Sequence, residues 1–470
     1  MKLISKYTGA GVLLALSLSS CVLSKKYTRA DLKLPENYRS AVAVTADTVA
    51  LSWKTFFQDP QLKGLIEKAL AHNNEIAVAL KSMEQLDLSF RQAKLGLLPT
   101  LDLSAGANRS WLSKNTLNGS LSEQFIGTTY MDDYNATLRL SWEIDIWGKA
   151  RMQKDVARAD YFAQRENLSA LRTRIISQVA QAYFNLISLD EQLKIARQNI
   201  ALSDSTLGMM QLQYNAGQIN ALAVSQAEAQ KKTAELLVPL ALQNIALQEN
   251  ALSILCGSYP DSIARAGSLS AAVPGPEPIP DVPARLLSRR PDVKAAEYAV
   301  ISANAKTGLA KAAMYPSFSL SPQVSANSYK FNNWFDLPGS LTKTLAVNLT
   351  QPLFQKGALK TAHKTALLEQ EKTVIQFRQT VMTAVGEVSD AMAQLKGASD
   401  RLELVQQKTA SLEKATHNAL LLYKSGMATY LEVITAQNNR LQNDLEAINI
   451  RLDRLNALTG LYRSLGGGVD

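Results

Sequence analysis

The sequence predicts a mixed α and β protein built from two tandem structural repeats, each with two β-strands and two long helices. Three observations predict this: related motifs recur 209 residues apart, two regions alternate apolar and polar residues, and long regions follow a helical period. Four strands are too few to close a barrel, since the smallest common barrels have about eight. We therefore expect the chain to assemble with copies of itself.

The internal repeat is clearest at two Tyr-x-x-Gly motifs. Tyr214-Asn-Ala-Gly217 is followed by Leu222, and Tyr423-Lys-Ser-Gly426 is followed by Leu431 at the same spacing. The same offset relates further pairs: Leu140 and Leu349, Gly148 and Gly357, Val179 and Val388, Ala182 and Ala391, Leu186 and Leu395, Leu193 and Leu402, and Leu236 and Leu445. A constant offset over so long a stretch indicates duplication.

The composition excludes two classes of protein. Of the 470 residues, 46% are hydrophobic and 19% charged, which is not the composition of a disordered chain. The formal net charge is +9, but the basic residues are scattered and mostly have acids nearby, as in Lys149 to Asp155. Because the chain has no basic cluster with interleaved aromatic residues, we expect no nucleic-acid partner.

The N-terminus has the plan of a secretory signal peptide over residues 1–20. Lys2 and Lys6 precede an apolar run from Gly9 to Leu18, which is too short to span a bilayer. The run ends at Leu18-Ser-Ser-Cys21, which resembles a bacterial lipobox. That resemblance implies cleavage before Cys21 and lipid attachment to Cys21. The alternative is an ordinary signal peptide followed by a chance cysteine.

The residues around the lipobox bear on localisation and redox chemistry. Residue 22 is valine and not aspartate, which implies the outer membrane by a sorting rule known for some bacteria. With Cys21 lipidated, Cys256 has no partner, so we expect no disulfide framework. We interpret Cys256 as a small buried side chain.

The first repeat, predicted at 59–265, begins with a helix and continues with two strands. Residues 21–58 precede it as a lipidated tether, and a helical pattern runs from Asp59 to Leu98, where Pro99 stops it. Alternation with a period of two then indicates two strands, separated by a polar loop at about 110–133. The apolar strand residues are Leu101, Leu103, Ala105 and Ala107, and then Ala136, Leu138, Leu140, Trp142 and Ile144.

The second repeat, predicted at 284–470, follows a linker at 266–283 that contains several prolines and cannot be helical. Its strands present two apolar sets: Phe318, Leu320, Pro322, Val324 and Ala326, and then Leu345, Val347 and Leu349. An apolar face of this kind meets either a second sheet or, in a membrane barrel, lipid. About ten residues is the length that a tilted strand needs to cross a bilayer.

The long helices follow the strands in each repeat. A heptad pattern predicts helices from Lys149 to Tyr214 and from Gly357 to Tyr423, each roughly 100 Å long at about 1.5 Å per residue. Gly217 and Gly426 are the predicted hairpin turns, because glycine suits the left-handed geometry that ends a helix. The seam is rich in alanine and serine, which favours a wide helical cylinder over a two-stranded coiled coil.

No pattern in the sequence indicates catalysis. His72, His363 and His417 lie far apart, and the chain has no phosphate-binding loop, no metal-spaced cluster and no Gly-x-Ser-x-Gly motif. We therefore expect no enzyme activity, no metal site and no cofactor apart from the lipid on Cys21.

Several short sequence motifs, in their order and spacing, resemble those of the TolC-like outer membrane efflux proteins. The resemblance is specifically to the lipid-anchored branch of that family, which belongs to resistance–nodulation–division systems. The matching phrases are Ser141-Trp-Glu-Ile-Asp-Ile-Trp-Gly148, Leu286-Leu-Ser-Arg-Arg-Pro-Asp-Val293, Tyr315-Pro-Ser-Phe-Ser-Leu320, Gln351-Pro-Leu-Phe354, the two Tyr-x-x-Gly turns and Leu465-Gly-Gly-Gly468. The resemblance covers essentially the whole mature chain. The Arg289-Arg290 pair before Pro291-Asp292 is also typical of a helix start.

The resemblance implies a homotrimer in the outer membrane. Three chains of four strands form a 12-stranded β-barrel, and their long helices form an α-helical barrel across the periplasm. The hairpin turns then meet a periplasmic adaptor protein and an inner-membrane efflux pump. The implied function is a passive duct for small molecules that the pump delivers, so the sequence predicts no particular substrate.

The resemblance also implies a periplasmic gate just past the hairpin turns. Carried over by position, Leu431 with Leu222 supplies an apolar constriction and Glu432 an acidic ring, which favours cations. The alternative for Glu432 is a solvated surface residue. Tyr214 and Tyr423 either hydrogen-bond between neighbouring helix pairs or simply pack at helix ends. One turn beyond Glu432, where many relatives have aspartate, this chain has Thr435.

Two other classes of protein share some of these features. Periplasmic adaptors are often lipidated and have helical hairpins, but usually one hairpin within soluble β-domains. A structural coiled-coil lipoprotein without a pore is the second alternative. Conductance in planar bilayers separates a channel from both.

Overall fold

A computed structural model of the chain describes residues 27–29, 32, 35, 38, 52–113, 115–265, 267–272, 274–275 and 283–468. The predicted signal peptide and Cys21 lie outside the described residues. The chain divides into two compact units. One unit contains residues 84–162 and 298–375, and the other contains most of the remaining described residues.

The elements follow one another in nearly the same order in the two halves of the chain. The first half contains α1 (Trp53–Phe56), α2 (Pro60–His72), α3 (Asn74–Leu95), β1 (Thr100–Trp111), α4 (Leu117–Ile126), β2 (Tyr130–Ile144), α5 (Lys149–Asn215) and α6 (Ala221–Leu255). The second contains α7 (Leu286–Arg289), α8 (Pro291–Ala312), β3 (Ser317–Ser328), β4 (Leu341–Thr350), α9 (Ala358–Lys424) and α10 (Tyr430–Ser464). Short 3-10 turns lie at Pro283–Arg285 and Phe331–Asn333.

The first unit is built around one antiparallel sheet with the strand order β1-β2-β3-β4. Its register places the predicted apolar residues side by side, with Leu103 opposite Leu138 and Leu138 opposite Val324. Leu320 lies opposite Val347 in the same way. The predicted alternation of the four strands is confirmed. Most of the large side chains on this apolar face are exposed to solvent in the single chain.

The connection between β1 and β2 differs from the sequence prediction. The expected polar loop at about 110–133 contains helix α4, and the two strands extend further on either side of it. Thr116 caps this helix by accepting a hydrogen bond from the Gly119 backbone N–H at 3.2 Å. Gly127 ends it in the left-handed conformation, with φ of 73°. A segment that was predicted to be a polar loop therefore contains a capped helix.

Helices pack side by side next to the sheet in the first unit. The ring of Phe90 on α3 stacks on Tyr161 of α5, with 6.2 Å between centroids. Phe162 of α5 in turn stacks on Tyr298 of α8 at 5.5 Å. Gln370 of α9 donates a hydrogen bond to Asn304 of α8 at 3.0 Å. The packing order is therefore α3, α5, α8, α9, which parallels the order of the strands.

The second unit has a large apolar core to which α1 contributes. Phe56 stacks on Tyr462 with ring centroids 4.7 Å apart, and Phe57 lies against Phe184 at 6.4 Å. Residues 52–58, which were predicted to be part of the tether, thus belong structurally to this unit. The aromatic residues Trp53, Phe56 and Phe57 are buried there, which removes their apolar surface from water.

The long helix predicted from Asp59 to Leu98 is two helices. Asn73 separates α2 from α3, and its Oδ1 accepts hydrogen bonds from the backbone N–H groups of Glu75 and Ile76. Its Nδ2 donates to the Leu255 carbonyl oxygen at 2.9 Å. Asn73 therefore caps the second helix and ties it to the end of α6, which a continuous helix would not permit.

The remaining predictions for this unit concern Cys256, the linker and Pro291. Cys256 is buried, as predicted, and desolvation raises the pKa of its thiol. Part of the predicted linker packs on the core, since the Gly275 N–H donates to the Phe56 carbonyl at 2.7 Å. Helix α8 begins at Pro291, as predicted. In the part of the chain that is described, none of the helices is long and apolar enough to cross a bilayer.

Arg290, at the start of α8, is buried in a network of ion pairs. Its guanidinium donates two hydrogen bonds to Asp292 and contacts Glu387 at 2.8 Å. Burial alone opposes ionisation of Asp292, but the hydrogen bonds and charge of Arg290 outweigh it, so the pKa of Asp292 lies below its ordinary value. Arg290 therefore has a structural role, in agreement with the helix-start interpretation.

Candidate gate at the tips of the helical hairpins

Two helical hairpins of the second unit turn through the same backbone geometry. Gly217 has φ of 71° and Gly426 has φ of 76°, the left-handed region that glycine adopts without strain. The Gln218 N–H donates to the Gln213 carbonyl, and the Met427 N–H donates to the Leu422 carbonyl, both at 2.9 Å. These bonds span five residues and close both helix ends in Schellman motifs.

Tyr423 and Tyr214 occupy equivalent places before these turns but have different surroundings. The Tyr423 side chain is 7% exposed, and its hydroxyl hydrogen-bonds to the Gln213 side-chain carbonyl of the other hairpin. Burial raises the pKa of the Tyr423 hydroxyl. Tyr214 is 47% exposed, and among the described residues its hydroxyl has no hydrogen-bond partner. Of these two tyrosines, Tyr423 alone hydrogen-bonds to the other hairpin among the described residues.

Behind the turns, the two hairpins share a small apolar cluster flanked by polar pairs. Met210, Ala227 and Ile434 are buried together. The Gln437 side chain donates to the Thr206 hydroxyl at 2.9 Å. Gln230 also hydrogen-bonds to Asn438 across the seam. The seam near the tip is thus held by few apolar side chains and several neutral hydrogen bonds.

The residues predicted to line a constriction lie at the start of the return helices. Leu222 on α6 and Leu431 on α10 are both exposed. Glu432 is exposed as well, and its carboxylate accepts hydrogen bonds from the Thr429 backbone N–H at 2.6 Å and from the Thr429 hydroxyl at 3.2 Å. Glu432 therefore closes a capping box on α10, a role that is compatible with an exposed charge.

Charged groups along the hairpins form pairs near the tip. The Lys231 ammonium lies 2.5 Å from Asp204, and the Arg440 guanidinium lies between Glu413 at 3.6 Å and Asp444 at 3.7 Å. Desolvation, with a contribution from Glu413, raises the pKa of Asp444 against the opposing effect of Arg440. No group of three or more potential metal ligands occurs among the described residues.

The structure places all the sequence-predicted gate residues at the two tips and brings Tyr423 into contact across the seam. Sequence reasoning missed two partners, Gln213 and Thr429. The signal for Thr429 was present, because a threonine three residues before Glu432 is a capping-box pattern. Gln213 had no such signal, since its role depends on how the two hairpins pack.

The family model described as outer membrane efflux protein matches residues 65–258 and 282–467. The chain is 29% identical to the probable outer membrane lipoprotein SilC of Salmonella typhimurium, over 96% of each chain. It is 27% identical to the cation efflux system protein CusC of Escherichia coli K12, over 97% of this chain and 98% of CusC.

Solved structures show the same fold. A crystal structure of CusC has a TM-score of 0.86 at 27% identity, covering 95% of this chain and 100% of CusC. The open state of the Neisseria gonorrhoeae MtrE outer membrane channel has a TM-score of 0.86 at 26% identity, covering 96% and 99%. These likenesses confirm the resemblance drawn from the sequence phrases: the chain belongs to the outer membrane efflux protein family.

Proposed function

We propose that three copies of this chain form the outer membrane channel of a tripartite efflux system, a passive duct for small molecules. A periplasmic adaptor and an inner-membrane pump would deliver the cargo to the hairpin tips. The observation that supports the proposal most strongly is a four-stranded sheet with an exposed apolar face and two free edges. The alternatives, an adaptor or a structural lipoprotein, have no need of such a sheet.

The sheet is incomplete in a way that further copies can repair. Among the described residues, β1 and β4 each pair with a single neighbouring strand, so each has one edge with unpaired backbone groups. Pairing β4 of one copy with β1 of the next would satisfy both edges. Three copies would supply 12 strands, enough to close a barrel. The exposed apolar face would then meet lipid.

The helices beside the sheet are open at the same two edges. Leu88 and Leu95 on α3 are exposed, as are Leu368 and Ile375 on α9. These two helices are the ends of the packing order α3, α5, α8, α9. A neighbouring copy would bury both sets of leucine and isoleucine side chains, which stabilises association in proportion to the apolar area covered.

The opposite face of the sheet is polar, as the wall of an aqueous duct requires. Asp102, Arg139, Gln323 and Thr344 form one row across the four strands. Arg139 donates a hydrogen bond to the Gln323 side chain at 3.2 Å. Closed into a barrel with its apolar face outward, the sheet would enclose this row.

We further propose the gate, the anchor and the duplication that the sequence indicates. Leu431 with Leu222 would form the apolar constriction and Glu432 the acidic ring, while Tyr423 would hold the tips together. A lipid on Cys21 would anchor the N-terminus in the outer membrane. The bounds of α5 and α9, and of α6 and α10, differ by the sequence offset of 209 residues, which supports two tandem repeats.

Reconstitution into planar bilayers tests the proposed function. Purified full-length protein should give discrete conductance steps, and steps should grow larger in a variant with the tip loosened, such as Tyr423→Phe. An adaptor or a structural lipoprotein would give no steps at any protein concentration that inserts into the bilayer.

A further inference from the structure

Two turns that lead from the sheet into the long helices differ sharply in their surroundings. The turn after β2 ends at Gly148 and the turn after β4 ends at Gly357, with φ of 75° and 79°. Each turn contains one aromatic residue, Trp147 in the first and Phe354 in the second. The two aromatic residues are not equivalent by the 209-residue offset, and Lys356, before Gly357, also has a positive φ, of 50°. What can be compared is the contact that each turn as a whole makes.

The first turn packs on the segment that precedes the next strand. The Trp147 indole N–H donates to the Pro316 carbonyl at 2.6 Å, and its ring lies 5.0 Å from the ring of Tyr315. Tyr315 and Pro316 lead directly into β3, the next strand of the sheet. Trp147, Tyr315 and Pro316 are all half-buried as a result.

Among the described residues, no such segment covers the second turn. Leu353 is 92% exposed and Phe354 is 84% exposed, although β4, just before them, is paired with β3. The sheet ends at β4, so no following strand exists to cover them. Two fully exposed large apolar side chains in sequence are costly in water and indicate a covering partner.

A second exposed apolar segment lies at the other edge of the sheet, before β1. Leu98 and Pro99 lead into β1 as Tyr315 and Pro316 lead into β3, and Leu98 is 60% exposed. Trp142 holds this segment by donating from its indole N–H to the Leu97 carbonyl at 3.1 Å. In an antiparallel sheet, the start of β1 and the end of β4 lie at the same end.

We infer that the turn after β4 of one copy, through Leu353 and Phe354, docks on Leu98 and Pro99 of the next copy. The turn after β2 packs in a comparable way on Tyr315 and Pro316 within the chain. The inference rests on the proposed trimer and deepens it, because it names a contact outside the strand pairing. Lipid is the competing occupant of this surface. A partner copy is favoured over lipid for two reasons. The two exposed segments flank the edges of β1 and β4, which meet in the proposed trimer. The turn after β2 also makes a contact of this kind within the chain.

Disulfide trapping in the full-length protein tests the inference. Leu98→Cys and Phe354→Cys would be combined in a Cys256→Ala background, purified in detergent and mildly oxidised. A disulfide requires Cα atoms within about 7 Å, so docking predicts covalently linked dimers and trimers on a non-reducing gel. Each single variant should remain monomeric on that gel.

The matched control pairs Leu98→Cys with Leu345→Cys. Leu345 is on β4, the edge strand that Phe354 follows, and its side chain is also exposed. It belongs, however, to the apolar face of the sheet that we assign to lipid. This pair should not link. Linking of the control, or no linking of Phe354→Cys in protein that is trimeric by mass, would overturn the inference and assign Phe354 to lipid.

A second measurement separates docking from a failure of the proposed function. Phe354→Ala should lower the temperature at which the trimer dissociates, whereas Leu345→Ala should leave it nearly unchanged. If both variants dissociate at the wild-type temperature, the docking is wrong while the trimer stands. If the wild-type protein itself is monomeric in detergent, the proposed trimer fails.

Discussion

The two hairpin tips share one backbone and differ in their side chains. Gly217 and Gly426 have nearly the same φ and close their helices with the same hydrogen bonds. Yet the second tip has the buried, hydrogen-bonded Tyr423 and the exposed Glu432, while the first has the exposed Tyr214. The same backbone geometry therefore recurs in both hairpins, while the tyrosine hydrogen bond and the exposed glutamate occur in the second hairpin.

The difference follows from which residue each tyrosine can meet. Tyr423 meets Gln213, whose side chain offers an acceptor. The residue equivalent to Gln213 in the second hairpin is Leu422, which offers none. In a ring of alternating hairpins, Tyr214 would face Leu422 of the next copy. The contact within a chain should therefore be stronger at the tip than the contact between copies.

The largest expected effect comes from the glycines, and it should be equal at the two tips. An alanine at either position would be forced into the left-handed region, at a cost of about 1–2 kcal/mol. No neighbouring atom lies within 4 Å of the added Cβ at either site, so strain is the only cost. Thermal unfolding of Gly217→Ala and Gly426→Ala should show similar destabilisation.

Gly386→Ala is the matched control for the two glycine variants. Gly386 lies inside α9 and also has no atom within 4 Å of an added Cβ. Because alanine is the better helix former, this variant should be more stable than the wild type by about 0.5–1 kcal/mol. A large difference between the two tip variants would contradict the shared backbone geometry.

Removing the tyrosine hydroxyls should distinguish the two tips. Tyr423→Phe loses the hydrogen bond to Gln213, worth about 1 kcal/mol, and should raise the conductance of the resting channel. Tyr214→Phe should change neither stability nor conductance. A double-mutant cycle with Gln213→Leu should give a coupling energy only with Tyr423→Phe. Equal effects of the two tyrosine variants would contradict a specific role for the hydrogen bond between Tyr423 and Gln213.

Changing the charge of Glu432 should alter ion selectivity with little change in stability. Glu432→Gln keeps a side chain that can close the capping box, so stability should stay within about 0.5 kcal/mol of the wild type. Loss of the acidic ring should raise anion conductance in single-channel recordings. Glu67→Gln, an exposed glutamate on α2, is the control and should leave selectivity unchanged. Unchanged selectivity in Glu432→Gln would remove Glu432 from the gate.

Alkaline pH should weaken the contact that Tyr423 makes at the tip of the second hairpin, and should have no such effect at Tyr214 of the first hairpin. Burial raises the pKa of Tyr423 above the ordinary tyrosine value of about 10. Its contribution to stability is therefore complete below about pH 10 and is lost as pH rises through the raised pKa. Conductance should increase over that range in the wild type and in Tyr214→Phe. Tyr423→Phe should lack this step, and a step that persists there would come from another group.

The sequence predicted what depends on periodicity and missed what depends on packing. The faces of the strands and the bounds of the long helices α5 and α9 follow from spacing, and the register of β1 to β4 agrees with the predicted faces. Helix α4 was missed because Thr116 and Gly119 look like loop residues when their contacts are unknown. The break at Asn73 was missed because its reason is a hydrogen bond to Leu255, 182 residues away.

The candidate gate shows the same division. Gly217 and Gly426 could be placed from the motif and from the conformational freedom of glycine. The burial of Tyr423 and the exposure of Tyr214 could not, because the two motifs are nearly alike in sequence. Tyr423 differs because its hydroxyl meets Gln213, a contact that forms only when the two hairpins pack.

The mass of the intact protein in detergent tests the central claim, which is that one chain supplies only part of a closed barrel. Native mass spectrometry of the mature, folded protein should give a species of three chains, which separates into single chains only when the fold is lost. A stable, folded species with the mass of one chain would contradict the account.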